Sequence, residues 1–224
     1  MLIAKNISHS FNYPLFKDIN LQLNPTETIA IIGISGSGKS TLLNILAGIL
    51  TPDKGSVFHF ENNFQTLETQ EKERFRREDI GMIFQSHYLF KGFTAKENLE
   101  VASILSGQPI DIEMLKRFGI EDNLEQKVTQ LSGGQQQRIS IARVLTKQPK
   151  IIFADEPTGN LDMKSASDVM NILFEYVKKN QAGMILVTHD EKLAFRCDKV
   201  FRLENGYFRT AEKYEFKNTI ILKS

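Results

Sequence analysis

Nine consecutive residues, Gly33-Ile34-Ser35-Gly36-Ser37-Gly38-Lys39-Ser40-Thr41, carry the most legible chemistry in this chain. Their order fits G-x-x-x-x-G-K-[ST]. Glycines in that spacing let the backbone curl until successive N–H groups aim at phosphate oxygens. Lys39 would reach the β- and γ-phosphates, and the Ser40 hydroxyl would ligate Mg²⁺. Such a loop works only between a strand and a helix. Residues 28–32, Thr28-Ile29-Ala30-Ile31-Ile32, read as a buried strand. Residues 42–50 are apolar nearly all round and read as a buried helix, whose N-terminus adds partial positive charge. The three segments together imply a bound nucleoside triphosphate.

A second apolar strand, residues 151–154, runs into Asp155-Glu156-Pro157. A carboxylate at the carboxyl end of a core strand sits where α/β sheets hold metal and ligand. Asp155 suits Mg²⁺ held through water, and Glu156 suits orienting and deprotonating an attacking water. Alone, Asp-Glu-Pro would be an ordinary turn; Lys39 and Ser40 give it chemistry. Leu131-Ser132-Gly133-Gly134-Gln135-Gln136-Gln137-Arg138 opens another helix. Exposed N–H groups, a hydroxyl and a positive helix end make a second anion site there. The plain alternative is a serine N-cap with a flexible entry. A second phosphate site makes sense if two chains share one nucleotide.

The elements that must position these residues alternate. Residues 2–11 and 15–24, around Asn12-Tyr13-Pro14, alternate apolar and polar side chains and read as an antiparallel hairpin. Residues 56–60 and 80–84 read as strands, with an exposed helix over 67–78 between them. From 94 to about 127 strand signals stop and helical periodicity takes over, which suggests an inserted helical subdomain. Then come a strand at 151–154, a helix at 163–179 with one apolar face, and a strand at 184–187. Residues 199–203 and 207–209 flank Glu204-Asn205-Gly206, a hairpin signal. The tail from Thr210 contains Thr219-Ile220-Ile221-Leu222, which suits either an edge strand or a partner contact.

Bulk properties narrow the class. The 224 residues are 41% hydrophobic and 25% charged with a net charge of +1, so no global field attracts nucleic acid or an anionic membrane. The densest charge run, residues 68–79, mixes signs at helical spacing and reads as a solvated helix face. A single cysteine, Cys197, forbids an intramolecular disulfide and is read as inert packing in a reducing compartment. No secretory leader or apolar run of membrane-spanning length is visible, so membrane contact is expected through a partner.

In order, the phosphate loop, Gln85, Leu131–Arg138, Asp155-Glu156, Gly159-Asn160-Leu161-Asp162 and His189 resemble the ATPase domain of ABC transporters, from about residue 2 to 208. The resemblance implies one α/β P-loop domain spanning 1–224. It has a mixed core sheet with flanking helices and an antiparallel β-subdomain (about 1–85 and 146–224), and a helical subdomain at about 86–145. It also implies ATP and Mg²⁺ as ligands and a head-to-tail homodimer. Ser132, Gly133, Gly134 and Gln135 would close on the triphosphate held by the partner's loop, and Asp162 would contact the opposite subunit. Gln85 would touch the Mg²⁺ shell and attacking water, and His189 would hydrogen-bond the γ-phosphate. Phe11 takes the place of the aromatic that stacks on adenine, with Tyr13 as its rival.

Residues 155–162 resemble the branch containing lipoprotein-release, macrolide-export and cell-division ATPases. Residues 85–98 and 187–206 are most similar to the lipoprotein-releasing type. That resemblance implies integral membrane partners of the LolC/LolE kind and a peripheral place on the cytoplasmic face of a bacterial inner membrane. A macrolide-type exporter and a cell-division regulatory ATPase are the alternatives. Soluble ABC proteins of DNA repair or translation carry long coiled coils or two cassettes, which 224 residues do not hold. Tyr88, Leu89, Phe90 and Phe93 place apolar side chains in an expected surface loop, either as packing or as a docking patch for a partner helix.

Overall fold

The computed structural model describes residues 1–212. The apolar run of residues 219–222, expected as an edge strand or partner contact, lies outside them.

Among the described residues, alternating segments build two sheets and seven α-helices. Strands β1 (Leu2–Ser10), β2 (Pro14–Leu23), β4 (Lys54–His59) and β5 (Asn62–Asn63) form an antiparallel sheet in the order β2-β1-β4-β5. Strands β3 (Thr28–Ile32), β6 (Ile80–Ile83), β7 (Ile151–Asp155), β8 (Gly183–Val187), β9 (Lys199–Glu204) and β10 (Tyr207–Thr210) form the second, in the order β10-β9-β3-β8-β7-β6. Five of these run parallel, and β10 closes one edge antiparallel to β9. The fold is α/β with a mixed core sheet and a separate antiparallel sheet, as expected.

Continuous apolar runs suit β3, β7 and β8 because both faces of the core sheet are covered. Successive side chains point to opposite faces. Ala30, Ile32, Ile152, Ala154, Met184 and Leu186 therefore enter a core with helices α3 (Ala95–Ser106), α4 (Ile112–Phe118), α5 (Gly133–Thr146) and α6 (Met163–Lys179). Ile29, Ile31, Ile151, Phe153, Ile185 and Val187 enter the other core, with α1 (Lys39–Leu46) and the antiparallel sheet. Helix α2 (Thr69–Glu78) buries only Phe75, as its mixed charges suggested. Helix α7 (Glu191–Ala194) is one turn after β8.

Some expected boundaries move. The helix predicted over 42–50 ends at Leu46. Gly48 adopts a φ of 69°, and a Cβ there would lie 2.1 Å from the Phe64 ring, so the chain must turn at a residue without one. The helical block from 94 to 127 is broken after α3 and α4 by Gly107 and Gly119, both left-handed C-caps, and continues as short 3₁₀ turns. The strand expected to reach Phe84 stops at Ile83, and Phe11 lies in the hairpin turn rather than in β1. β5 and α7 are too short to impose a period on the sequence.

Candidate active site

Four adjacent core strands release their chains at one sheet edge. β3 leads into the phosphate loop, β6 into Gln85, β7 ends in Asp155 and β8 leads to His189. Register aligns them: Ile31 and Asp155 both pair with Val187, and Ala154 pairs with Ile83. The carboxyl edge of a parallel sheet is where such folds open a ligand crevice.

A cleft of about 420 Å³ occupies that edge. Ser35, Gly36, Gly38, Lys39, Ser40 and Thr41 of the loop line it together with Gln85, Asp155, Glu156 and His189. Phe11 and Tyr13 line it too, both more than half exposed. Both remain available to stack on a base, although Phe11 also meets the buried His9 edge-on at 4.9 Å. Gly33, Ile34 and Ser37 complete the loop. A Cβ on Gly33 would lie 2.3 Å from the Leu203 carbonyl oxygen, and the Ser37 hydroxyl is buried without a partner. Gly38 has φ 97°, and a Cβ there would run into Leu15. These contacts explain glycine at those two points.

Lys39 is buried, and its ammonium donates to the Gly33 and Ile34 carbonyls at 2.9 and 2.8 Å. Burial pulls its pKa down, against the opposing pull of Glu156 and Asp155. Asp155 moves the other way: burial, then the Glu156 charge, raise its pKa, while a hydrogen bond from Ser40 and the Lys39 charge oppose the rise. Two adjacent carboxyl groups, a hydroxyl and a carboxamide therefore face one cleft. That oxygen donor set, with a carboxylate destabilised by burial, fits a hard cation such as Mg²⁺ sharing its shell with phosphate oxygens.

Glu156 follows β7 with a φ of 46°, left-handed for a residue with a Cβ. Its surroundings hold it there. Its N–H donates to the Val187 carbonyl at 2.9 Å, and its own carbonyl accepts from Gly159 N–H at 3.1 Å. The side chain receives the His189 N–H at 2.9 Å and the Thr188 hydroxyl at 3.2 Å, with His189 Nδ1 2.8 Å away.

Other expected site residues stand apart from this cleft. Ser132 caps α5: its Oγ accepts the Gln135 N–H at 3.3 Å, and Gln135 Oε1 accepts the Ser132 N–H at 2.9 Å. Ser132 and Gly133 are exposed at that helix end. The capping reading is therefore realised, and the glycine N–H groups remain at an open surface. Asp162 caps α6, accepting from Lys164 and Ser165.

Residues 16–159 match the family model described as ABC transporter. The chain belongs to the ABC transporter family. A lipoprotein-releasing system ATP-binding protein, LolD, of Legionella pneumophila (strain Lens) is 39% identical over 86% of this chain and 87% of its own. A LolD 2 of Chlorobium chlorochromatii (strain CaD3) is 35% identical over 99% and 98%. The dimeric post-hydrolysis structure of the ATP-binding cassette MJ0796, bound to ADP and Pi, superposes with a TM-score of 0.86. It is 32% identical and covers 95% of this chain and 99% of that one. This ABC chain is thus an ATP-hydrolysing transporter subunit.

In this ABC ATPase three further side chains touch the site that motif reading passed over. Thr188 holds Glu156, Asn160 donates to the Gln85 carbonyl at 3.2 Å, and the buried Gln137 donates to the Pro157 carbonyl at 2.7 Å. Gln137 and Asn160 lie within runs singled out in the sequence, but neither these nor Thr188 carries a role that residue type or spacing reveals; only their tertiary partners mark them.

Proposed function

We propose that the chain is the ATPase of a lipoprotein-releasing complex and that it works as a head-to-tail homodimer with Mg·ATP between two copies. The observation that carries the dimer is a separation. One chain gathers Lys39, Ser40, Gln85, Asp155, Glu156 and His189 around one cleft but leaves Ser132 and Gly133 exposed, with Gly134 half-buried, at a different helix end. A second copy supplies the missing wall.

In that pocket the loop N–H groups and Lys39 hold the β- and γ-phosphates, and Ser40, Asp155 and Gln85 would hold Mg²⁺. Bound there, Mg²⁺ would supply positive charge to offset that of the phosphates. Glu156 orients and deprotonates the attacking water. His189 steadies Glu156 through Oε1 and faces the γ-phosphate with Nε2. Phe11 or Tyr13 stacks on adenine. Ser132, Gly133, Gly134 and Gln135 bind the partner's γ-phosphate, and Asp162 meets the partner's surface. Residues at about 86–145 act as the helical subdomain that carries Ser132–Gly134 toward the partner, against a core and β-subdomain formed by the rest.

The membrane partner docks in a groove bordered by the C-terminal half of α5. Tyr88 and Phe90 stand exposed, and with Ile49, Leu105 and Arg143 they line a groove of about 630 Å³. No helix among the described residues is long and apolar enough to cross a membrane. Integral subunits of the LolC/LolE kind, reached through this groove, would place the chain on the cytoplasmic face of the inner membrane. Affinity capture of the tagged chain from detergent-solubilised membranes tests this reading. Recovery of such subunits supports it, and recovery of a cell-division partner instead overturns the lipoprotein assignment.

A further inference from the structure

One side chain joins the helix that presents Ser132–Gly134 to the backbone beside both Glu156 and Gln85. Gln137 lies in the second turn of α5 and is 1% exposed. Its Nε2 donates to the Pro157 carbonyl at 2.7 Å and lies 3.5 Å from the Phe84 carbonyl, at the outer limit of a hydrogen bond. Pro157 directly follows the strained Glu156, and Phe84 directly precedes Gln85. The amide cannot be turned over, since Oε1 would then face two carbonyl oxygens. In the orientation it keeps, Oε1 is buried without a partner. A buried polar atom left unpaired is costly, so the position serves its donor side. Farther along the same helix Ser140 donates to the His87 carbonyl at 2.8 Å and Arg143 to the Tyr88 carbonyl at 2.9 Å. Side chains of α5 thus hold the main chain between Gln85 and the docking patch, and Gln137 alone of these also holds the Glu156 turn.

We infer that Gln137 is a positioning residue for hydrolysis. Through two backbone carbonyls it sets Glu156 and Gln85 relative to the helix whose N-terminus meets the partner's nucleotide. This inference rests on the roles proposed for Glu156 and Gln85. It does not involve Lys39 or the phosphate loop, so it predicts a loss in kcat with little change in KM.

Steady-state ATP hydrolysis by the purified chain tests it, with Gln137→Met keeping side-chain length and apolar fill but removing the donor. The expected result is a kcat lower by about 100-fold, the scale of a small misplacement of catalytic groups, with KM within about threefold of wild type. Gln137→Glu supplies the second readout. Its neutral carboxyl group can donate to the Pro157 oxygen, whereas the carboxylate repels it. Its activity relative to wild type is therefore expected to fall by roughly tenfold from about pH 6 to about pH 8.5. A Gln137→Met kcat within twofold of wild type, or a Gln137→Glu ratio that is flat with pH, overturns the inference. If Gln137→Met does not fold, the Gln137→Glu profile decides alone. Glu156→Gln assayed in parallel separates the two readings: wild-type turnover there removes the role of Glu156 itself, whatever Gln137 does.

Discussion

His189 holds Glu156 at one oxygen from two directions. Its backbone N–H donates to Oε1 at 2.9 Å, and its ring Nδ1 lies 2.8 Å from the same atom, a contact that requires the proton on Nδ1. Thr188 donates to Oε2. A carboxylate positioned by three donors keeps a fixed direction in which to accept a proton. The ring nitrogen left over, Nε2, belongs to a side chain that is 76% exposed and faces the cleft.

Replacing Glu156 by Gln keeps the shape and removes the base. ATP is expected to bind, turnover to fall by about 10²–10⁴-fold, the range typical of general-base loss, and the closed dimer to accumulate. Phosphate release and small-angle scattering with Mg·ATP check both halves. A monomer under saturating Mg·ATP removes the shared-pocket proposal. His189→Ala should slow turnover less, because the Thr188 hydroxyl and the main-chain N–H still hold the carboxylate.

Lys39→Ala removes the only buried ammonium of the loop. Hydrogen bonds to charged groups contribute about 1.5–3 kcal/mol, so ATP affinity should drop by roughly 10- to 150-fold. Titration of a fluorescent ATP analogue measures it. An unchanged affinity would mean that this ammonium serves only the Gly33 and Ile34 carbonyls.

His59 makes stability pH-dependent. It is fully buried against Phe64, its Nε2 2.7 Å from the Leu46 carbonyl at the end of α1, and burial holds its pKa down to about 4. The unfolded chain binds this proton near pH 6.5, so between about 6.5 and 4 the unfolded state carries more protons. The contribution is complete above pH 6.5 and is lost as pH falls toward 4, in total on the order of 3 kcal/mol. Urea melts of wild type and His59→Gln across that window should differ in slope. Parallel slopes would exclude His59 as the source.

Cys197 is buried, and burial raises its pKa to about 12, so almost no thiolate exists at neutral pH. Alkylation by iodoacetamide should be slow in buffer and fast in denaturant. Rapid modification of the folded chain would contradict the inert-packing reading.

Tyr88→Asp with Phe90→Asp places charges in the apolar rim of the α5 groove without touching the nucleotide cleft. Basal ATP hydrolysis should stay within about twofold, since exposed substitutions seldom disturb the fold, while co-purification with membrane subunits is lost. Unchanged co-purification moves the docking site elsewhere.

Chemistry carried by contiguous residues is legible in the order of the residues themselves. The spacing Gly33 to Thr41, the apolar strand ending in Asp155-Glu156 and the Leu131–Arg138 run each suggest the proposed chemistry locally, because one turn of backbone already aligns the groups concerned. Periodicity locates the major strands and helices for the same reason: burial on one face leaves a trace every second or every third to fourth residue. Tertiary structure alone decides which separated residues meet. The grip of Thr188 and His189 on Glu156 depends on β7 lying beside β8, and the reach of Gln137 to Pro157 depends on α5 crossing the sheet edge. That position 48 has no room for a side chain depends on Phe64, sixteen residues farther along the chain and in contact with it only after folding. Contacts between residues far apart in sequence leave no local pattern, so their geometry becomes visible only when the sheet and its helices are assembled.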